Sequence, residues 1–181
     1  FSELLNNKVS YLPNGPVKIG DIWFVGNNGW YSFDYNGDPA HNKAVYMGKD
    51  SVMNDNRNIG FSAIDQIPPW ELAIREYDEL NVHVKDITER ENNAKIMVVT
   101  HTAPLRQSLS EKPEHLIYNP FYANLHMSKI MDDYPDNIIG WAHGHTHYRS
   151  MKYYNNSIPI IVNPRGYQNQ NNSWEPVVLD F

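Results

Sequence analysis

Ile138-Ile139-Gly140-Trp141-Ala142-His143-Gly144-His145-Thr146-His147 sets three imidazoles within five residues, directly after a short apolar run. Neutral imidazole nitrogen is the commonest metal ligand that needs no thiolate. Extended backbone would send His143, His145 and His147 to one side. Gly144 lets the chain turn or approach a neighbour closely, with no Cβ in the way. A histidine-rich surface loop would carry the same residues. The place of this stretch after a buried strand, and a second histidine of the same kind elsewhere, favour a site.

That second histidine follows Ile96-Met97-Val98-Val99, a continuous apolar run that fits a strand buried on both faces. Thr100-His101-Thr102-Ala103-Pro104 comes next, and Pro104 stops the strand. Each strand is preceded by a helical pattern. After Pro68-Pro69, Ala73, Tyr77, Leu80, Val84 and Ile87 form one apolar face, with Glu71, Arg75, Glu76, Asp78 and Glu79 around it, ending near Asn92-Asn93. Asn119-Pro120 reads as an N-cap with proline at the first helical position, and Ala123, Met127, Ile130 and Met131 give that helix its face. Upstream, Val9 to Trp30 reads as β structure, with a hairpin through Gly20-Asp21 and an end at Gly26-Asn27-Asn28-Gly29. Tyr31 to Gly60 reads as a long polar loop with short structured pieces, and Leu105 to Tyr118 as another polar loop. Downstream come a hairpin through Asn155-Asn156, a turn over Asn163-Pro164-Arg165-Gly166-Tyr167 and a last strand over Pro176 to Leu179.

Helices alternating with strands, and hairpins at both ends, predict one α/β domain over residues 1–181 with mixed sheets. Ligands of open α/β sheets bind beyond the carboxyl ends of the strands. If the two histidine-bearing strands are parallel neighbours, His101, His145 and His147 converge.

Composition limits the chemistry. Lys+Arg 15 against Asp+Glu 21 gives a net charge of −6, which disfavours nonspecific nucleic-acid binding. There is no cysteine, so a metal would be held by His, Asp, Glu or Asn. No segment is long and apolar enough to span a bilayer, and no signal pattern opens the chain, so a cytoplasmic location is the expectation.

Val98-Val99-Thr100-His101-Thr102-Ala103-Pro104 and Gly144-His145-Thr146-His147 resemble the last two motifs of the calcineurin-like metallophosphoesterases. Ile22 to Trp30, Val52 to Ile59 and Asn163 to Tyr167 resemble further parts of that family's bacterial and phage branch, in order. The resemblance implies the C-terminal part of a four-layer α-β-β-α sandwich that hydrolyses phosphomonoesters or phosphodiesters. It implies two divalent metal ions (Mn, Fe, Zn or Ni), with His101 and His145 on one and His147 on the other. His143, Thr102 and Gly144 lie beside motif positions, and Thr102 is often another histidine in the family. The family's earlier motifs, which supply the bridging aspartate and the histidine at the scissile phosphate, have no counterpart here. The catalytic residues are therefore expected upstream of Phe1. The domain reads as N-terminally incomplete, its partner being the missing N-terminal segment. Alone, the chain is expected to bind metal weakly, to leave phosphoesters intact, and to expose a strand edge and apolar surface.

Trp30 is a candidate for the mouth of a substrate pocket or a buried strand-end residue. Arg165 is a candidate bidentate hydrogen-bond donor to a substrate phosphate or a turn residue holding a carboxylate. Two other readings compete. One is a non-catalytic binding or assembly module, favoured by Asn-rich loops and twelve tyrosines. The other is a mononuclear zinc hydrolase, which would need a carboxylate such as Glu111, Glu114 or Asp34. Asp55 and Arg57 could pair locally. His41, His83, His115 and His126 match no motif and read as surface residues.

Overall fold

The computed structural model describes residues 10–48, 53, 67–166 and 174–179. Its strands are β1 (Val17–Ile19), β2 (Ile22–Asn27), β3 (Lys95–Thr100), β4 (Ile138–His143), β5 (Ser150–Tyr154) and β6 (Ile158–Val162). They form one mixed six-stranded sheet in the order β1-β2-β3-β4-β6-β5. The four central strands β2, β3, β4 and β6 are parallel, and an antiparallel hairpin partner closes each side. Both expected hairpins are present. Gly20 turns the first at φ 63°, and Asn155 and Asn156 turn the second at φ 47° and 59°, the left-handed conformation that tight hairpins require.

The register explains the core. Val25, Val98, Trp141 and Ile160 are successive cross-strand partners on one face, and none is more than 1% exposed. Against this row lies α2 (Pro69–Arg90), which follows α1 (Pro39–Met47) in the chain. Its Leu80, Val84 and Ile87 are buried there together with Met127, Ile130 and Met131. Fully burying one such side chain contributes about 1.5–3 kcal/mol. The opposite face is also apolar: Phe24, Met97 and Gly140 form one row, and Gly26, Val99, Ala142 and Ile161 the next. None of these joins the main core, and Phe24, Val99 and Ala142 are only half-buried.

Several expectations are corrected. Among the described residues the β structure begins at Val17, after a 3₁₀ turn at Leu12–Asn14, and Val9 lies outside the described residues. The expected structured piece within Tyr31–Gly60 is α1, a helix that Asp38 caps by accepting the His41 N–H at 3.0 Å and whose first turn Pro39 pre-sets. Tyr46 from α1 joins Tyr31, Phe33 and Phe121 in a second, aromatic core. The polar segment after β3 holds short helical turns, including α3 (Pro113–Leu116). The helix expected from Asn119 is broken into 3₁₀ turns at Asn119–Phe121 and Leu125–Met127, with α4 (Ser128–Asp133) after them. Its backbone is committed elsewhere: Ala103 N–H donates to the Tyr122 carbonyl and Asn124 N–H to the Ala103 carbonyl, while Ser32 N–H donates to the Ala123 carbonyl. Residues 176–179 form no strand, and this end is held by Trp174 Nε1 donating to the Asn163 carbonyl at 3.1 Å. Glu76, placed on the solvent side of α2 by its charge, is 7% exposed. The resembling loop Val52–Ile59, apart from Met53, and the Asp55/Arg57 pair lie outside the described residues, as does Tyr167. No helix among the described residues is long and apolar enough to cross a membrane.

The packing makes a direct prediction from one helix. Leu80→Ala should cost about 2–5 kcal/mol in urea unfolding, whereas Val82→Ala, at a 56%-exposed position, should stay within about 0.5 kcal/mol. Equal costs would contradict the assigned face.

Candidate functional site

β3 and β4 are parallel, and Thr100 is the register partner of His143, so the two histidine segments leave the sheet at the same level. Hydrogen bonds fix the turn at the end of each strand. The N–H groups of His101 and Thr102 both donate to the Asn28 carbonyl, at 3.0 and 3.2 Å. The Thr102 hydroxyl donates to the Gly29 carbonyl, so this residue is structural. Gly29 sits at φ 63°, and a Cβ there would lie 3.1 Å from Thr100 Cβ, which calls for glycine. Thr100 Oγ1 accepts the Trp141 indole N–H at 2.9 Å, tying the end of β3 to the core of β4.

The loop after β2 is itself held by Glu76 on α2. Its carboxylate accepts the Trp30 backbone N–H and, at 3.5 Å, the Asn28 side-chain amide. Asn27 Nδ2 donates to the Glu76 carbonyl at 2.7 Å. Burial pushes the Glu76 carboxyl up from the ordinary glutamate range, and the donated hydrogen bonds oppose that rise. Glu76 thus acts on His101 through Asn28. Sequence reading missed it because charge outweighed spacing: 76 lies three after Ala73 and four before Leu80, on the apolar face.

The histidines meet across these turns. Gly144 N–H donates to the His101 carbonyl at 3.0 Å. His145 Nδ1 lies 2.9 Å from His101 Nε2, with ring centroids 4.7 Å apart at 74°. The Tyr122 ring packs edge-on against His145 at 4.3 Å. The expected alternation does not continue past β4. His143 ends the strand and is only 6% exposed, and His145 and His147 then take left-handed backbone at φ 63° and 52°. The turn expected of Gly144 is thus made by the two histidines. Such non-glycine conformations cost roughly 1–3 kcal/mol each and persist where the surroundings fix them.

Burial is the main cause that lowers His145 to about 4, with His101, His147 and His143 adding to it. His143 is also lowered to about 4, mainly by burial. Both are therefore neutral bases near pH 7, the form that binds a cation. His143 Nδ1 is 3.1 Å from the Gly144 carbonyl, and its Nε2 is buried with no hydrogen-bond partner among the described residues.

His101 Nε2 and His145 Nδ1, 2.9 Å apart, fit two neighbouring positions on one cation. His147 is exposed, and its charge acts on His145. No group of three or more His, Asp or Glu among the described residues is placed to hold a metal ion. Zinc sites use three or four protein ligands, so the chain carries about half of one. The carboxylates considered for a mononuclear site do not complete it: Glu111 and Glu114 are exposed, and Asp34 accepts the Ser32 hydroxyl. Trp30 packs on Tyr31 at 4.8 Å, beside the aromatic core. Arg165 is exposed on the loop leaving β6, at the same end of the sheet as the histidines. His115 lines a cavity next to the histidine turn instead of lying on open surface.

No family model matches the chain. Over 181 residues it is 25% identical to an uncharacterized protein of Acanthamoeba polyphaga mimivirus, covering 96% of this chain and 58% of that protein. The phosphopantetheinyl hydrolase PptH from Mycobacterium tuberculosis superposes with a TM-score of 0.61 at 15% identity, over 86% of this chain and 53% of that one. The likeness shows the α/β fold. The chain spans a little over half the length of each.

The buried imidazoles predict an acid-labile end of the sheet. The unfolded chain takes up protons below about pH 6.5 that folded His143 excludes until about pH 4. The stability is complete above pH 6.5 and falls as the pH drops towards 4, by on the order of 3 kcal/mol for this group. NMR titration of His143 should show a midpoint near 4, and a midpoint near 6.5 would contradict its burial.

Proposed function

We propose that this chain is the C-terminal half of a calcineurin-like metallophosphoesterase that hydrolyses phosphomonoesters or phosphodiesters. The observation that carries this reading is the 2.9 Å approach of His101 and His145 from the ends of adjacent parallel strands, within the two stretches that resemble the family's metal motifs. The fold shared with a phosphopantetheinyl hydrolase agrees with a hydrolase acting on phosphoesters.

In this reading His101 and His145 hold one divalent cation, His147 contributes to the second, and the remaining ligands come from outside the chain. When bound, such a cation pair polarises the phosphate and lowers the pKa of a water towards hydroxide. The chain's own residues do the positioning. Burial keeps His145 unprotonated, so its lone pair is available without displacing a proton. Asn28 fixes the His101 backbone, and Gly144 N–H joins the two turns. The half-buried apolar face bearing Phe24, Val99 and Ala142 is where the second sheet of a four-layer sandwich would pack, bringing the absent carboxylates over the histidines.

The test is turnover of a chromogenic phosphodiester and phosphomonoester with Mn²⁺. The chain alone should be inactive, and a version extended upstream of Phe1 through the earlier motifs should be active. In that version His101→Ala or His145→Ala should cost more than the roughly 10–100-fold lost with an outer partner of a metal ligand. Turnover with two tightly bound ions by the chain alone would overturn the half-site. An extended, metal-loaded protein inert to both ester classes would overturn the phosphoesterase reading.

A further inference from the structure

Beside the histidine turn lies a cavity of about 200 Å³ that the chemistry above does not use. It is bounded by the loop from Ser110 to Tyr122 and by Thr146 and Tyr148. Thr146 stands between His145 and His147, and Tyr122 packs against the His145 ring, so the cavity and the histidines share a wall.

Its lining chemistry is selective. Among the described residues no Asp, Glu, Lys or Arg lines it, so it offers no cationic donor to a phosphate. Flat aromatic faces dominate. The rings of Tyr118 and Tyr122 are nearly parallel, 21° apart in plane with centroids at 6.3 Å, and His115 and Tyr148 add two more rings. The volume is below the roughly 300–1,000 Å³ of sites for drug-sized ligands, so it admits one ring system and excludes a long chain.

The polar groups around it are already ordered. Ser110 Oγ is 2.8 Å from His115 Nδ1, and buried Asn119 donates through Nδ2 to the Ser110 carbonyl at 2.8 Å. Tyr148 is anchored through its hydroxyl, which donates to the Ser108 carbonyl at 2.7 Å. These bonds fix the walls before any ligand arrives, which lowers the ordering cost of binding.

We infer that this cavity binds the planar heteroaromatic ring of a nucleobase-type group on the phosphoester, with the phosphate directed to the histidine turn. As a statement about substrate class this rests on the phosphoesterase reading. Binding of the ring itself does not. An uncharged ring with polar edges matches aromatic walls edged by hydroxyl and amide groups, whereas an aliphatic alcohol would leave those faces without a stacking partner.

The experiment is saturation-transfer NMR and titration of the full chain with adenosine and with uridine, in the absence of metal. At least one nucleoside should bind saturably, with transfer strongest at the base protons. Stacking on a tyrosine contributes roughly 1–3 kcal/mol, so Tyr118→Leu should weaken binding about tenfold while Tyr118→Phe stays within about twofold. Far-ultraviolet circular dichroism and the unfolding midpoint check that the leucine variant is folded; Ser110→Ala, which should also weaken binding, serves if it is not. Absence of saturable binding by both nucleosides, or equal binding by Tyr118→Leu and wild type, would overturn the proposal. Nucleoside binding without phosphoester turnover by the extended protein upholds the pocket and removes the hydrolase. Turnover that treats nucleotides and aliphatic phosphoesters alike, with no nucleoside binding, does the reverse.

Discussion

The carbonyl oxygen of Asn28 accepts the backbone N–H groups of His101 and Thr102, and the arrangement of the site depends on that shared acceptor. It joins the ends of two parallel strands, β2 and β3, at the point where β3 stops. Through Gly144 N–H and the His101 carbonyl the same turn is joined to the end of β4. Three strand ends are thereby locked together by backbone bonds whose partners have no side-chain rotamers to lose. Glu76 holds Asn28 from α2, so the backbone of exposed His101 is tied through Asn28 to a buried carboxylate.

Burial and exposure divide the labour among the histidines. His143 and His145 are kept neutral by their surroundings, at the cost of stability in acid. His101 and His147 remain exposed. The left-handed backbone at His145 and His147 is tolerable there because histidine is among the residues enriched in that region. The same turn walls the aromatic cavity through Thr146, and Tyr122 joins the two by packing against the His145 ring. On the second face of the sheet Phe24, Val99 and Ala142 stay only half-buried.

Much of this was legible in the residues. The two hairpins, α2 and the strands β3 and β4 follow from periodicity and turn chemistry, and the pairing of His101 with His145 follows once the strands are parallel neighbours. What was not legible involved partners distant in sequence. The helix expected after Asn119 gives way because residues 122–124 bond to Ala103 and Ser32, which no local pattern reports. α1 was hidden by its weak amphipathicity, although Asp38-Pro39 is an adequate start signal. Glu76 was misplaced because a charged residue on an apolar face is read as solvent-facing unless its acceptor role is known. The left-handed turns at His145 and His147 replaced a strand continuation, since nothing in Gly-His-Thr-His itself marks where extension ends.

Everything proposed for the site rests on His101 and His145 forming the cation-binding half-site. Paramagnetic broadening of histidine ring resonances, on adding Mn²⁺ to the full chain near pH 7, reads that pairing without relying on turnover. His101 and His145 should broaden together at the lowest Mn²⁺ concentrations, ahead of His41, His83 and His126, and His145→Ala should abolish the effect at His101. Uniform broadening of all the histidines, or broadening of His101 that survives His145→Ala, would contradict the half-site.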